Sequence, residues 1–245
     1  MTILGISGFA GSGKDQLAKY LAPFGATNVA LADPLKRIVR DVYDFTDEQL
    51  WGPSAERNKP DPRYPRDHNW KVTPSEDESI LGGWSCACCG ASREVGQPPS
   101  TAQCFLTPRY TLQLLGTEFG RHCFYDTWAV KCVRTAKTLL EGQSGYSPKT
   151  GLVPFPETVF TVPPKIVTIS DVRFKNEMKV IREAGGKLLR VKRTEAGLKG
   201  TAALHPSESE QAGIPDKDFD IIVDNDGTLD DLQEMVRQLA QTLLK

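Results

Sequence analysis

The sequence has no excess of charge of either sign: 30 Lys and Arg stand against 31 Asp and Glu, a net of −1. That excludes binding to nucleic acid by bulk positive charge, and it excludes an acidic disordered chain. No apolar run approaches the roughly 18 residues needed to cross a bilayer, so no transmembrane helix is expected. Met1 to Gly8 are apolar but lack a basic lead and a small-residue cleavage site. They read as a first β-strand rather than a signal peptide, and a cytoplasmic location is expected. There is no internal repeat and no low-complexity tract. The remainder, 245 residues at 39% hydrophobic and 25% charged, has the composition of an ordinary globular protein of one or two domains.

Regular pattern is unevenly spread. Residues 52–106 carry Pro53, Pro60, Pro62, Pro65, Pro74, Pro98 and Pro99 with little periodicity and read as a partly irregular insertion. About 50 residues of loop need something to hold them in a compact fold. On either side, strand-like and helix-like segments alternate. Ile3, Leu4 and Ile6 mark a buried strand, and Gln16 to Phe24 have helical spacing. Asn28 to Leu31 read as a second strand. Asp33 and Pro34 are a cap and first residue for a helix to about Val42, and Thr46 to Leu50 begin another. Thr107-Pro108 starts a helix whose apolar side is Leu112, Leu115, Phe119 and Cys123, and Trp128 to Leu140 give the next. Gly142 to Pro164 read as loop. Lys165–Ser170, Lys187–Val191 and Phe219–Val223 are strand-like, Phe174–Ala184 is helical up to Gly185-Gly186, and Leu229–Leu244 closes as an amphipathic helix. The alternation predicts an α/β fold with a mainly parallel sheet, built from residues 1–51 and 107–245.

The strongest chemical signal is Gly8-Phe9-Ala10-Gly11-Ser12-Gly13-Lys14-Asp15, a G-x-x-x-x-G-K loop between the first strand and the first helix. Glycines let backbone N–H groups turn inward, and with a helix N-terminus they hold phosphate oxygens, while the lysine reaches the β- and γ-phosphates. Gly11, Ser12, Gly13, Lys14, Asp15 and Gln16 are therefore expected to bind ATP. The loop departs from the usual pattern in one place. Asp15 stands where Ser or Thr normally follows the lysine, and its carboxylate is a candidate Mg²⁺ contact.

Four of the six cysteines, Cys86, Cys88, Cys89 and Cys104, fall within 19 residues. Cys86-x-x-Cys89-Gly90 has zinc-knuckle spacing, and Cys104 lies 15 residues further on. A structural Zn²⁺ on Cys86, Cys89 and Cys104 is expected to pin the insertion. Its fourth ligand is open among Cys88, His68, His122 and Cys123. A zinc-ribbon nucleic-acid module fused to an ATPase is the rival reading, and the charge balance argues against it.

Ser12-Gly13-Lys14-Asp15 in such a loop resembles the bacteriophage-type deoxynucleoside monophosphate kinases, a branch of the P-loop nucleoside monophosphate kinases. Ala32-Asp33-Pro34-Leu35-Lys36 and Thr107-Pro108-Arg109 agree with it, as do Gln113, Leu115-Gly116-Thr117-Glu118, Arg121 and Trp128. So do Asp171-Val172-Arg173-Phe174, Asn176-Glu177 and His205-Pro206-Ser207-Glu208. The resemblance covers residues 1–50 and 106–240 and omits the insertion. It implies a three-layer P-loop fold and transfer of phosphate from ATP, with Mg²⁺, to deoxynucleoside monophosphates. It implies no nucleic-acid or membrane partner, and host cytoplasm as the location if the source is a phage. A homodimer is compatible with the sequence and not specified by it.

Each residue so implied also has its own chemistry. Arg109 can grip a phosphate bidentately, or be a solvated helix-start arginine. Gln113, one turn on, can pair with a base edge. Gly116 admits close approach of a ligand or of another helix, and Thr117 offers a hydroxyl. Trp128 can stack on a base or fill a core. Asp171 stands just beyond a buried strand, where open α/β sheets place their ligand crevice. Arg173 can neutralise a phosphoryl group in flight, and Glu177, a turn further, can hold Arg173. The resemblance assigns Arg109, Gln113, Gly116, Thr117, Trp128, Asp171, Arg173 and Glu177 to the deoxynucleotide, with Lys14, Arg109, Asp171 and Arg173 catalytic. Glu118 and Arg121, three apart, read as a structural pair. Residues 194–216, after Arg190, Lys192 and Arg193, are a candidate lid. A P-loop kinase of another small metabolite and a non-kinase P-loop ATPase remain open alternatives.

Overall fold

In the computed structural model the apolar run at the N-terminus is strand β1 (Thr2–Ser7), the middle strand of a five-stranded sheet. The structure describes residues 1–72, 83–86, 88, 91–93, 103–156, 162–194, 196 and 210–244. They pack as two units, Met1–Pro34 with Gly120–Lys245, and Leu35–Phe119.

The first unit is built on β1 with β2 (Ala26–Ala30), β3 (Ile166–Val172), β4 (Lys187–Lys192) and β5 (Ile221–Asp224). The order is β5-β4-β1-β3-β2, and every pairing is parallel. Parallel sheets need cover on both faces, which is why these strands are so apolar. On one face Ile3, Val167 and Ile169 meet Ala129, Cys132, Val133, Ala136 and Leu139 of the helix Thr127–Leu140, and Met178 and Ile181 of the helix Lys175–Glu183. On the other, Leu4, Ile6, Ile166 and Leu189 meet Leu17 and Leu21 of the helix Lys14–Leu21, and Leu232, Val236, Leu239 and Leu243 of the helix Leu229–Leu243. The result is the α/β fold with a parallel sheet expected from the alternation, with helices on both sides giving the three layers that the resemblance implies.

Two details depart from the sequence reading. Residues 142–164, read as loop, contain an antiparallel hairpin, Ser144–Ser147 paired with Gly151–Pro154. Its glycines, serines and proline hide the strand signal, while the turn they form closes through Thr150 N–H to Ser147 O at 3.3 Å. Asp33, expected as a cap, is the first residue of the helix Asp33–Tyr43. Its buried carboxylate reaches back to the Ala30 N–H (3.1 Å) and accepts the Tyr146 hydroxyl (2.8 Å).

Among its described residues the second unit has two small cores. Val39, Phe45 and Leu50 pack with Tyr43, Trp51, Tyr64, Leu112 and Leu115. Cys86, Cys88, Cys104 and Tyr110 pack with Trp70, Ala91 and Leu106. Much of the proline-rich segment forms short pieces: Ser54–Asn58 is a helix, Pro65–Arg66 pairs with Cys104–Phe105, and Trp70–Val72, Trp84–Cys86 and Ser92–Arg93 make a three-stranded sheet. A capping box on Thr46 and Gln49 starts the helix Asp47–Trp51.

Asp61 ties these pieces together. Nearly buried, it accepts bonds from the Arg63 guanidinium (2.7 and 3.0 Å), the Arg63 backbone N–H (3.1 Å) and the Gln49 amide (3.2 Å). The Arg63 side-chain bonds hold its carboxyl down at about 2, against the opposing effect of burial. A depressed carboxyl stabilises above its unfolded value of 3.8, and that contribution is lost as the pH falls toward 2. Asp61→Asn is therefore expected to destabilise the second unit by about 1–3 kcal/mol at neutral pH. In denaturant titrations the gap from wild type should narrow below pH 4. A gap that is absent at neutral pH, or constant down to the acid limit, contradicts this role.

Candidate active site

β1 ends at Ser7, and the chain turns through Gly8–Gly13 into the helix Lys14–Leu21. The turn is compact. A Cβ on Gly8 would sit 2.5 Å from the Ser12 hydroxyl and 2.8 Å from the Val191 carbonyl, so no other residue fits there. Gly13 precedes the helix at φ 94°, a left-handed conformation that glycine adopts without cost. Ser12 N–H bonds the Phe9 carbonyl at 3.1 Å, and Asn225, just beyond β5, donates its side-chain amide to the Ser12 carbonyl at 2.8 Å. The loop is thus pinned from within and from the sheet edge. Yet the Ser12 hydroxyl is buried and has no hydrogen-bond partner among the described residues, a costly arrangement for a polar atom.

Lys14 is 7% exposed, and its Nζ lies 3.5 Å from Oδ1 of Asp171. β1 and β3 are paired neighbours, so their ends bring these two charges together. Asp171 has φ 66°, a left-handed backbone that Asp tolerates better than most residues, here within β3 just before its last residue. Asp15 is exposed in the first turn of the helix, with Gln16 half-buried beside it and Gly11 exposed.

Past Asp171 the turn is shaped by Glu177. One of its carboxylate oxygens accepts the backbone N–H groups of Arg173 (2.8 Å) and Phe174 (3.1 Å), and the other pairs with Arg121 at 2.7 Å. Burial pushes the Glu177 carboxyl up to about 7, opposed by the two N–H donors and by Arg121. The Arg121 guanidinium also bonds Asn176 Oδ1 at 3.1 Å and lies 3.5 Å from the centre of the Phe174 ring. Arg121 was expected to pair with Glu118. It pairs with Glu177, and Glu118 is exposed in the second unit. Helical spacing favoured the near partner, but burial of Arg121 required a carboxylate that is buried too.

At the same end of the sheet, on the side of β4 and β5, a cavity of about 270 Å³ lies beside Gly8 and Phe9, lined by Arg190, Lys192, Arg193 and Gln211 among others. Asp216 bridges Arg190 (2.7 Å) and Lys192 (2.9 Å), whose bonds hold its carboxyl below the usual range. Gln211 is buried, donates to the Ser7 hydroxyl at 3.1 Å, and has an unpartnered Oε1. Gln211, Asn225 and Ser7 escaped the sequence reading because their roles depend on pairings across about 200 residues of chain.

Arg109, Gln113, Gly116 and Thr117 belong to the second unit. Thr107 caps the helix Pro108–Gln113 through the Tyr110 N–H, as expected. Arg109 bonds Asn58 Oδ1 and, at 2.7 Å, Ser54 Oγ, so the helix Ser54–Asn58 aims it. After Gln113 the helix widens into a π-helical segment, Leu114–Phe119. Such segments are rare and favour functional sites. Gly116 lies inside it, and a Cβ there would stand 3.1 Å from Leu35, so close packing accounts for this glycine. Trp128, in the first unit, packs against Gly120 and the apolar core. Cys86 and Cys104 have sulfurs 3.7 Å apart. Cys89, His205 to Glu208 and most of the segment 194–216 lie outside the described residues.

A parallel sheet covered on both faces, with a glycine-rich loop and a buried lysine at the end of its middle strand, defines an α/β protein of P-loop-kinase-like fold. Residues 157–236 match the family model of deoxynucleotide monophosphate kinases. The chain is also 26% identical over 239 residues to a protein of Acanthamoeba polyphaga mimivirus provisionally named deoxynucleotide monophosphate kinase, a match spanning 96% of this chain and 94% of the relative. Both findings support an enzyme, a phosphotransferase acting in deoxynucleotide metabolism. No helix among the described residues is long and apolar enough to cross a membrane.

The Arg121–Glu177 pair generates a test. Arg121→Met leaves an ionisable carboxyl buried without its cation and should cost about 3–5 kcal/mol. Adding Glu177→Gln, which removes the stranded charge, should recover part of that loss. A single variant within about 0.5 kcal/mol of wild type would show that the pair does not hold the turn.

Proposed function

We propose that the chain phosphorylates deoxynucleoside monophosphates with ATP, using the glycine-rich loop and Lys14 to hold the donor phosphates. One observation carries this reading: Lys14, nearly buried, lies beside Asp171 and is followed back along the loop by the buried, unpartnered Ser12 hydroxyl. A phosphate chain would give both donors acceptor oxygens. The loop from Gly11 to Gln16 would wrap those oxygens with backbone N–H groups at the start of a helix.

The residues fit Mg²⁺ as the family implies it, since Asp15 and Asp171 offer oxygen donors next to the lysine, and the ion would neutralise phosphate charge. The chain's own residues do the rest. Lys14 binds and orients the donor phosphate. Asp171, held by its left-handed backbone, fixes the Lys14 ammonium before the donor arrives. Arg173, placed by the Glu177 bonds to its turn, neutralises charge on the transferred group. Arg109, aimed by Ser54 and Asn58, grips the acceptor phosphate, while Gln113, Thr117 and Trp128 are candidates for contact with the nucleoside. The acceptor is already an anionic oxygen, so alignment and charge neutralisation suffice without a strong base.

A coupled ADP-release assay over all deoxynucleoside and nucleoside monophosphates, with buffer alone as control, tests the reading. Release stimulated by deoxynucleoside monophosphates is expected. Release that no monophosphate stimulates, or that DNA stimulates instead, would replace it with a non-kinase ATPase. Lys14→Ala is expected to lower turnover by about 10²-fold or more with the fold intact by circular dichroism, and near-normal turnover would end the loop assignment. Arg173→Ala should lower kcat by about 10²-fold while leaving the KM for ATP close to wild type. A change confined to that KM would remove Arg173 from the transferred group.

A further inference from the structure

The second unit contains a side-chain cluster that phosphoryl transfer does not use. His68, Cys86 and Cys104 come from three separate segments, and their ligand atoms all lie within 4.8 Å of one another. Both cysteines are buried, and His68 is half-buried with its ring stacked on Trp70 at 4.6 Å between centroids. The sulfurs of Cys86 and Cys104 stand 3.7 Å apart. A disulfide needs about 2.05 Å. Two thiolates on a tetrahedral zinc, each with a Zn–S bond of about 2.3 Å, stand about 3.8 Å apart.

We propose that His68, Cys86 and Cys104 are ligands of a structural Zn²⁺ that fastens the proline-rich segment to the helix carrying Arg109 and Gln113. The donor chemistry selects the metal, since soft thiolates with an imidazole suit zinc, and two thiolates balance its charge in a buried site. The surroundings show the need for it. The strands that bring these residues together are two or three residues long, and among the described residues the core around them is three cysteines and Tyr110 with Trp70, Ala91 and Leu106. So little apolar surface does not hold such pieces without a staple.

Of the fourth ligands left open by the sequence, Cys88 is committed elsewhere. Its thiol donates to the Phe105 carbonyl at 3.0 Å, and its sulfur is not among the ligand atoms that gather within 4.8 Å. His122 and Cys123 lie in the other unit. Cys89, expected as a ligand from its spacing, lies outside the described residues. The link to function is short. Cys104 is three residues from Thr107, whose hydroxyl bonds the Cys88 carbonyl at 3.1 Å while capping the helix that presents Arg109.

The test uses the full chain, purified in reductant from zinc-containing medium. About one zinc per chain is expected by elemental analysis. Replacing it with Co²⁺ should give the thiolate-to-cobalt absorption and strong visible bands of a tetrahedral sulfur–nitrogen site. His68→Ala, Cys86→Ser and Cys104→Ser should each lose the metal, and Cys88→Ser should keep it. Should the alanine and serine variants fail to fold, His68→Cys keeps four-coordinate binding possible and should strengthen the thiolate band. No zinc in the wild-type chain, unchanged cobalt spectra in His68→Ala and His68→Cys, or loss of metal in Cys88→Ser would overturn the site. These readouts do not depend on the proposed kinase activity. The fastening role does rest on it: removing zinc should raise the KM for the deoxynucleotide roughly tenfold and that for ATP less than about twofold. Equal values before and after removal would overturn that role.

Discussion

The ion pair between Lys14 and Asp171 depends on one constraint, the parallel pairing of β1 with β3. Ile3 opposite Val167 and Gly5 opposite Ile169 set the register that delivers a glycine-rich loop and a carboxylate to the same end of the sheet. A lysine that is only 7% exposed loses much of its hydration and must be compensated by a nearby negative group. Asp171 supplies that charge, at a left-handed φ that costs some strain. The proposed phosphate binding follows from the same logic, since phosphate oxygens offer the ammonium more negative charge than one carboxylate does.

Around that pair the fold is rigid where charge must be placed. A side chain at Gly8 would run into Ser12 and Val191, and Asn225 holds the Ser12 carbonyl from the next strand but one. Glu177 performs the same task for the Asp171–Arg173 turn. It is a positioning residue, since its oxygens are taken by two backbone N–H groups and by Arg121. In the second unit Arg109 is likewise braced, by Ser54 and Asn58. That brace comes from the segment whose composition alone suggested irregular chain.

Much of this was legible in the sequence, for physical reasons that also explain what was not. β1, the loop and the helix after it are local: a short apolar run, glycines and a helical period occupy adjacent residues. The Thr107-Pro108 start of the helix that carries Arg109 was legible for the same reason. Partners far apart along the chain were not. Nothing near Arg121 marks Glu177 as its counter-ion, and Ser7 with Gln211 becomes a pair only once strands are ordered. The π-helical segment at Leu114–Phe119 keeps the apolar spacing of an ordinary helix, so periodicity could not reveal it. The cysteine spacing pointed to a metal but could not choose among histidines, because His68 reaches Cys86 and Cys104 through strand pairing rather than through sequence distance.

The central claim is that the lysine-ended loop holds a donor whose terminal phosphoryl group passes to a deoxynucleotide. ATP labelled in its γ-phosphate, incubated with the protein and each deoxynucleoside monophosphate in turn, measures this directly when the products are separated. The account expects label in a deoxynucleoside diphosphate, and none there with Lys14→Ala. Label found only in inorganic phosphate, at the same rate with or without a deoxynucleotide, would contradict it.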